Sequence, residues 1–313
     1  MKGKILITGG AGYIGSVLTE FLLIEGYHVD VLDNLKYNQT SLLHLCRNKN
    51  FNFLNGDVTD LAYMGRVVAS YDIIIPLAAI VGAPACDRNM ELATRTNYHQ
   101  IKAIVDSIST DQMLIMPNTN SQYGSSDSLI TEKSPFKPLS HYSHTKCRAE
   151  EYILNGGNGI CLRLATVFGA SPRMRTDLLV NDFVYRAMTD GFLVLYESTF
   201  KRNYIHVLDI ARTFFFCIVN YDRLNNDVFN VGLSNANLSK SELAGVIKFF
   251  IPDLLILEHD FKKDADQRNY LVSNEKLESK GWSPFYTIED GVMELMKAYE
   301  MVINYNNKHF TNL

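Results

Sequence analysis

Short apolar runs alternate with helical stretches through the first half of the chain. Strands are expected near 4–8, 28–33, 51–54, 72–77, 112–117 and 159–165, each a brief apolar run bounded by glycine, proline or polar residues. Between them the pattern predicts helices over Gly12 to Glu25, Glu91 to Ser109 and Ser140 to Leu154, with Gly26 closing the first. Such alternation argues an α/β fold, a doubly wound parallel sheet with helices on both faces. After Phe168 the order loosens into a loop at Ser171 to Arg175, a helix near 178–190 and polar turns around Asn225 and Ser234. Val207 to Tyr221 reads as one more helix and Asp227 to Val231 as one more strand, so the chain returns to the sheet once. Two discontinuous domains are therefore expected: 1–168 plus about 205–232 around the sheet, and a smaller C-terminal substrate domain from about 169–204 plus 233–313.

The first strand runs directly into Gly9-Gly10-Ala11-Gly12-Tyr13-Ile14-Gly15 and then a helix. Glycines at this spacing allow a tight turn, close backbone approach to a phosphate, and contact between helix and strand. The helix N-terminus adds free amide donors and a positive dipole end. This is a Rossmann-like dinucleotide site. The second strand ends in Asp33, eighteen positions beyond Gly15, where a carboxylate accepts from both hydroxyls of an adenine ribose. The same carboxylate repels a 2'-phosphate, and Asn34-Leu35 offers no arginine to hold one, so the expected cofactor is NAD rather than NADP.

The chain has 313 residues, 47% of them apolar, and a formal net charge of −4. That size and apolar content suit a globular enzyme, and the charge leaves no basic footprint for nucleic acid. No apolar run reaches the roughly 18 residues that a membrane span requires. The first strand begins so early that no signal peptide is expected, and five scattered cysteines without metal-ligand spacing suit a reducing cytoplasm.

Tyr142 and Lys146 stand four residues apart, on one face of a helix. An ammonium beside a phenol stabilises the phenolate, which makes the tyrosine a general base for an alcohol proton. About twenty residues upstream, a strand ends in Asn118-Thr119-Asn120-Ser121-Gln122-Tyr123-Gly124, small polar side chains at the edge where open α/β sheets collect ligands. Other polar residues read more plainly. His206 is expected to start a helix, His144 to be exposed, Phe214 to Phe216 to be core, and Lys262 to Asp264 to form a surface turn. Arg173 and Arg175 read either as a solvated loop pair or as a grip on phosphate or sugar.

In this order the pieces resemble the extended short-chain dehydrogenase/reductases, the NAD-dependent nucleotide-sugar epimerases, dehydratases and dehydrogenases. The resemblance runs through TGGAGYIG at 8–15, LDNL at 32–35, NGDVTD at 55–60, PLAA at 76–79, Asn97, YG at 123–124, the Tyr142/Lys146 pair, LRLATVFG at 162–169, RNYIHVLD at 202–209, FNVG at 229–232 and GWSP at 281–284. It implies catalysis by Thr119, Tyr142 and Lys146. Cofactor contacts are implied at Gly9, Gly12, Tyr13, Ile14, Gly15, Asp33, Asn34, Asp57, Val58, Leu77, Ala78, Ala79 and Asn97, together with Tyr142 and Lys146. For a nucleotide-diphosphate sugar it implies Val81, Thr119, Asn120, Thr166, Arg175, Asn181, Arg202 and Arg268, with Arg202 and Arg268 gripping the diphosphate. It also implies a homodimer or homotetramer paired through the Asn97 and Tyr142 helices.

Departures narrow the reaction. Dehydratases of this family carry an Asp-Glu pair after the catalytic Thr, where this chain has Asn120 and Ser121. An amide and a hydroxyl cannot do that acid/base work at neutral pH, so 4,6-dehydration is disfavoured. The Asn expected in the LRLATVFG strand is Thr166, and the His expected before Leu77 is Pro76. What remains is hydride transfer at C4. In PNTNSQYG, SPRMR, DLLVNDF and DQRNYLVSN the chain resembles C4-dehydrogenases of capsular heptose pathways, and that resemblance implies a GDP-heptose substrate and a capsular polysaccharide pathway. A 4-epimerase is the alternative, and a non-catalytic NAD-binding regulator is disfavoured because both Tyr142 and Lys146 are present.

Overall fold

Seven parallel strands make one sheet in a computed structural model that describes residues 3–259 and 269–302. They are β1 Lys4–Thr8, β2 His28–Asp33, β3 Phe51–Asn55, β4 Ile73–Pro76, β5 Met113–Thr119, β6 Ile160–Leu164 and β7 Asp227–Val231. Their order across the sheet is β7-β6-β5-β4-β1-β2-β3. Ile5, Leu6 and Ile7 of the central strand are fully buried, as a sheet covered on both faces requires. The fold is the Rossmann-like α/β sheet that the alternation predicts. Strand order reverses between β1 and β4, which opens the crevice where such sheets bind ligands.

The helix Tyr13–Ile24 buries Leu18 and Leu22 and packs against the helix Val207–Val219. Its end is closed by Gly26 at φ +83, with Gly26 N–H donating to Leu23 O at 3.0 Å and Tyr27 N–H to Leu22 O at 3.1 Å. Phe214 is fully buried, and Phe215 meets Phe21 and Tyr27 edge-on, so the aromatic run is core. β7 lies parallel to β6 from Asp227 opposite Ile160 to Val231 opposite Leu164, and the chain does return to the sheet.

Two expectations need correction. The helix expected over Glu91 to Ser109 is three pieces: Met90–Thr94, a π turn at Arg95–His99, and Gln100–Val105. The wide turn aims Asn97 at a neighbouring loop, a demand that apolar periodicity does not record. The sixth strand stops at Leu164, because Thr166–Phe168 peels off into a second sheet, parallel to Lys201–His206, which pairs antiparallel with Asn237–Ser239. The helices Lys240–Phe250 and Ile288–Val302 complete that side, and one apolar cluster runs unbroken from Ile5 to Tyr299. Among the described residues no helix is long and apolar enough to cross a membrane.

Candidate active site

Gly9 sits at φ +68, and a Cβ there would fall 2.6 Å from the Ala78 backbone. A Cβ on Gly15 would lie 2.5 Å from Gly10 Cα, and one on Gly12 would lie 3.0 Å from Gly9 O. The turn packs so closely on itself and on the Ala78 backbone that a side chain at Gly9 or Gly15 would force the chain apart. Gly12 precedes the helix with no side-chain cap, so the amides of Tyr13, Ile14 and Gly15 begin a helix end open to an anion. The residues therefore fit a dinucleotide.

Asp33 ties the end of β2 to this turn. Its Oδ2 accepts from Ala11 N at 3.1 Å, and its Oδ1 accepts from Leu35 N at 2.8 Å and Gln39 Nε2 at 3.2 Å. Burial raises its pKa, against the backbone bonds from Leu35 and Ala11, which lower it. Beside it, Asn34 Nδ2 donates to Asp57 Oδ2 at 3.0 Å; burial opposes the Asp57 charge, but bonds from Thr59 and Asn34 outweigh it and hold the carboxyl below its usual range. Val58 is buried next to it. At the end of β4, Leu77 N–H donates to Thr8 O at 3.0 Å and Ala78 N–H to Thr8 Oγ1 at 3.3 Å, with Ala79 half-buried and Val81 exposed beyond them. Asn97 holds this loop: its Oδ1 accepts from Ile80 N at 2.8 Å, while its Nδ2 donates to Ile80 O at 3.0 Å and to Thr145 Oγ1 at 3.2 Å.

Thr145 belongs to the helix His141–Gly156, whose start is fixed by a capping box between Ser140 and Ser143. That start sets Tyr142 in the first turn and Lys146 one turn later. Lys146 is buried and donates from Nζ to Pro117 O at 2.6 Å, so its ammonium lies at the end of β5. Burial lowers its pKa to about 8. Thr119 ends β5, and its Oγ1 accepts from Ser121 N at 3.1 Å and lies 3.0 Å from Ser121 Oγ. Asn120 is 1% exposed, and neither atom of its amide has a hydrogen-bond partner among the described residues. A buried amide in that state at a strand end suits a polar ligand group.

Beneath these residues runs a network that the sequence does not announce. Asn118 Nδ2 donates to Lys146 O at 3.3 Å and to Glu150 Oε2 at 2.6 Å, and Glu150 is paired with Arg163 at 2.5 Å. Arg163 also donates to Tyr123 Oη, which donates to Asn230 Oδ1 at 2.7 Å.

Of the residues expected to meet substrate, Asn181 is fully buried. Its Oδ1 accepts from Gly169 N at 3.1 Å, and its Nδ2 donates to Arg175 O at 2.9 Å and lies within reach of Gly169 O and Tyr13 Oη. Arg175 forms a two-point ion pair with Asp177, at 2.7 and 2.6 Å. Arg202 is buried on the second sheet, its guanidinium 5.5 Å from the Tyr270 ring; Thr166 lies on the adjacent strand opposite Tyr204. Arg268 and the turn at Lys262 to Asp264 lie outside the described residues. His206 caps the helix Val207–Val219 and pairs with Glu294 at 2.6 Å, and His144 is exposed, so neither faces the Tyr142 group.

A model of the NAD dependent epimerase/dehydratase family matches residues 5–232, and the chain belongs to that family; its cofactor is NAD. It is 27% identical over 316 residues to the dTDP-glucose 4,6-dehydratase of Streptomyces griseus, spanning 96% of this chain and 94% of that one. The fold matches DesIV, a dTDP-glucose 4,6-dehydratase from Streptomyces venezuelae solved with NAD and TYD, at a TM-score of 0.84 and 24% identity over 98% of this chain and 99% of that one. It also matches the UDP-glucose 4-epimerase of Thermotoga maritima with UDP-glucose, at a TM-score of 0.81 and 22% identity over 96% and 100%.

Proposed function

We propose that this member of the family oxidises the C4 hydroxyl of a nucleotide-diphosphate sugar and releases a 4-keto sugar nucleotide. The observation that carries the reading is the meeting of Thr119, Lys146 and the Tyr142 helix turn at the end of β5, with Asn120 and Ser121 following. Tyr142 takes the hydroxyl proton, Thr119 shares that hydroxyl's hydrogen bond, and Lys146 favours the phenolate electrostatically. Held at the glycine turn and Asp33, NAD would supply the acceptor for the C4 hydride, so that the carbonyl forms as one proton and one hydride leave. Asn120 and Ser121 supply no carboxylic acid to expel a second hydroxyl, which favours release of the ketone over dehydration.

We take the substrate to be GDP-D-glycero-D-manno-heptose. Residues 169–204 and 233–313 would hold the sugar nucleotide against the NAD-binding domain formed by 1–168 and 205–232. The 4-keto product suits later epimerisation or reduction on the way to a surface polysaccharide. Five cysteines without a disulfide, four of them buried, fit a cytoplasmic enzyme. Incubating the purified protein with this heptose nucleotide and NAD should yield the 4-keto sugar with equal NADH. No reduction of NAD with any nucleotide sugar would overturn the reading.

A 4-epimerase uses the same residues, and the fold likeness to the Thermotoga maritima enzyme supports it as the second reading. The epimerase returns the hydride to the other face, so it accumulates no NADH.

A further inference from the structure

The loop that leaves the strand Thr166–Phe168 is held by side chains from three separate helices. From the helix Leu179–Thr189, Asn181 accepts from Gly169 N at 3.1 Å and donates to Arg175 O at 2.9 Å, so a single amide closes the loop on itself. From the first helix, Tyr13 Oη donates to Gly169 O at 2.7 Å, and Asn181 Nδ2 lies 3.4 Å from that hydroxyl. From the last helix, Tyr299 Oη donates to Asn181 O at 2.9 Å, and Glu294 Oε1 accepts from Ala170 N at 3.1 Å. A Cβ on Gly169 would run into the His206 imidazole, so the loop lies close on that side as well.

A second tie runs from the loop to the first helix. Ser171 Oγ donates to Tyr13 O at 2.7 Å, and the Ser16 and Ser171 hydroxyls lie 3.0 Å apart. Arg173 N–H donates to Ser171 Oγ at 3.2 Å, and Arg173 itself is buried. Tyr13 therefore serves two partners at once: its backbone amide belongs to the open helix end beside the glycine turn, and its hydroxyl belongs to the loop. Burial pushes its phenol above the usual pKa range, which keeps it a neutral donor.

We propose that Tyr13 and Asn181 are positioning residues that couple cofactor occupancy to the shape of the 169–177 loop. NAD seated at the glycine turn fixes the start of the first helix, and the Tyr13 hydroxyl passes that restraint to the Gly169 carbonyl. Asn181 then carries it to Arg175, whose guanidinium is paired with Asp177. Coupling between sites needs a continuous physical chain, and the bonds from Tyr13 through Gly169 and Asn181 to Arg175 supply one. The consequence for substrate, a cofactor-loaded protein better shaped for a nucleoside diphosphate sugar, rests on the function proposed above; the coupling to NAD does not.

The test is hydrogen–deuterium exchange of the wild-type protein, Tyr13→Phe and Asn181→Ala, each without NAD and with NAD at saturation. NAD should slow exchange at the glycine turn in all three, which reports that the cofactor is bound. In the wild type it should also slow the 169–177 amides by about fivefold or more, the low end of ordinary coupling between sites. In either variant that second effect should fall below about twofold. A merely structural role would speed loop exchange equally with and without NAD and leave the ratio unchanged, and that result overturns the proposal. So does a wild-type loop indifferent to NAD. Should Asn181→Ala not fold, Tyr13→Phe decides; should Tyr13→Phe lose NAD, Asn181→Ala decides. No sugar nucleotide enters the experiment, so a failure of the proposed reaction leaves its outcome untouched.

Discussion

Lys146 donates its ammonium to the carbonyl of Pro117 across 2.6 Å, so the helix that carries Tyr142 is fastened to the strand that ends in Thr119. The bond makes the spacing of that helix turn and that strand end a property of the packed sheet.

Tyr142→Phe removes the proposed base and leaves the glycine turn intact. Turnover should fall by about 10²- to 10⁴-fold with NAD still bound, read by steady-state rates beside cofactor titration. Undiminished activity would remove Tyr142 from the role.

Lys146 also predicts a pH dependence. Its folded pKa of about 8 lies below its ordinary value of 10.5, so between those values the unfolded chain binds the extra proton and stability rises with pH. Below pH 8 the buried charge is a cost, which Lys146→Met removes. Denaturant unfolding of the cofactor-free protein should show a rise between pH 8 and 10 in the wild type and none from this site in Lys146→Met, while activity is lost.

The Glu150–Arg163 pair is buried on both sides, at 1% and 4% side-chain exposure. Glu150→Ala strands a guanidinium in the interior and should cost about 3–5 kcal/mol in urea unfolding. Because Asn118 links Glu150 to the Lys146 turn, a milder Glu150→Gln should lower kcat more than it raises KM.

Gly9→Ala forces a Cβ to 2.6 Å from the Ala78 backbone at a positive φ. The strain is of order 1–3 kcal/mol, and NAD affinity measured by calorimetry should fall by roughly tenfold or more. Gly26→Ala, which meets no atom within 4 Å, should leave NAD affinity unchanged despite its own positive φ.

The helix His141–Gly156 packs against the Met90–Val105 segments, and we expect the outer faces of the two to pair copies of the chain. Light scattering after gel filtration should give a dimer or tetramer; a monomer at working concentration refutes it.

The sheet was legible because β1, β2 and β4 are short apolar runs ended by glycine, aspartate and proline, signals that depend on no distant residue. The Tyr142–Lys146 spacing was readable for the same reason: helical periodicity alone puts both on one face. Asn97 was placed in the right neighbourhood, but the π turn that aims it at Ile80 exists to satisfy a loop seventeen residues away in sequence. Leu164 and Thr166 belong to different sheets, since Leu164 pairs with Val231 and Thr166 with Tyr204, partners that come late in the chain. The burial of Arg173 left no trace either, since a polar loop has no period to show which face is covered.

The pairing of Leu164 with Val231 has an evolutionary consequence. The chain from Thr166 to Lys201 departs from one edge of the sheet and comes back to the same edge through the helix Val207–Val219, like a detour with fixed junctions. Insertions or exchanges inside the detour can reshape what is recognised without shifting the register of the strands that cradle the dinucleotide.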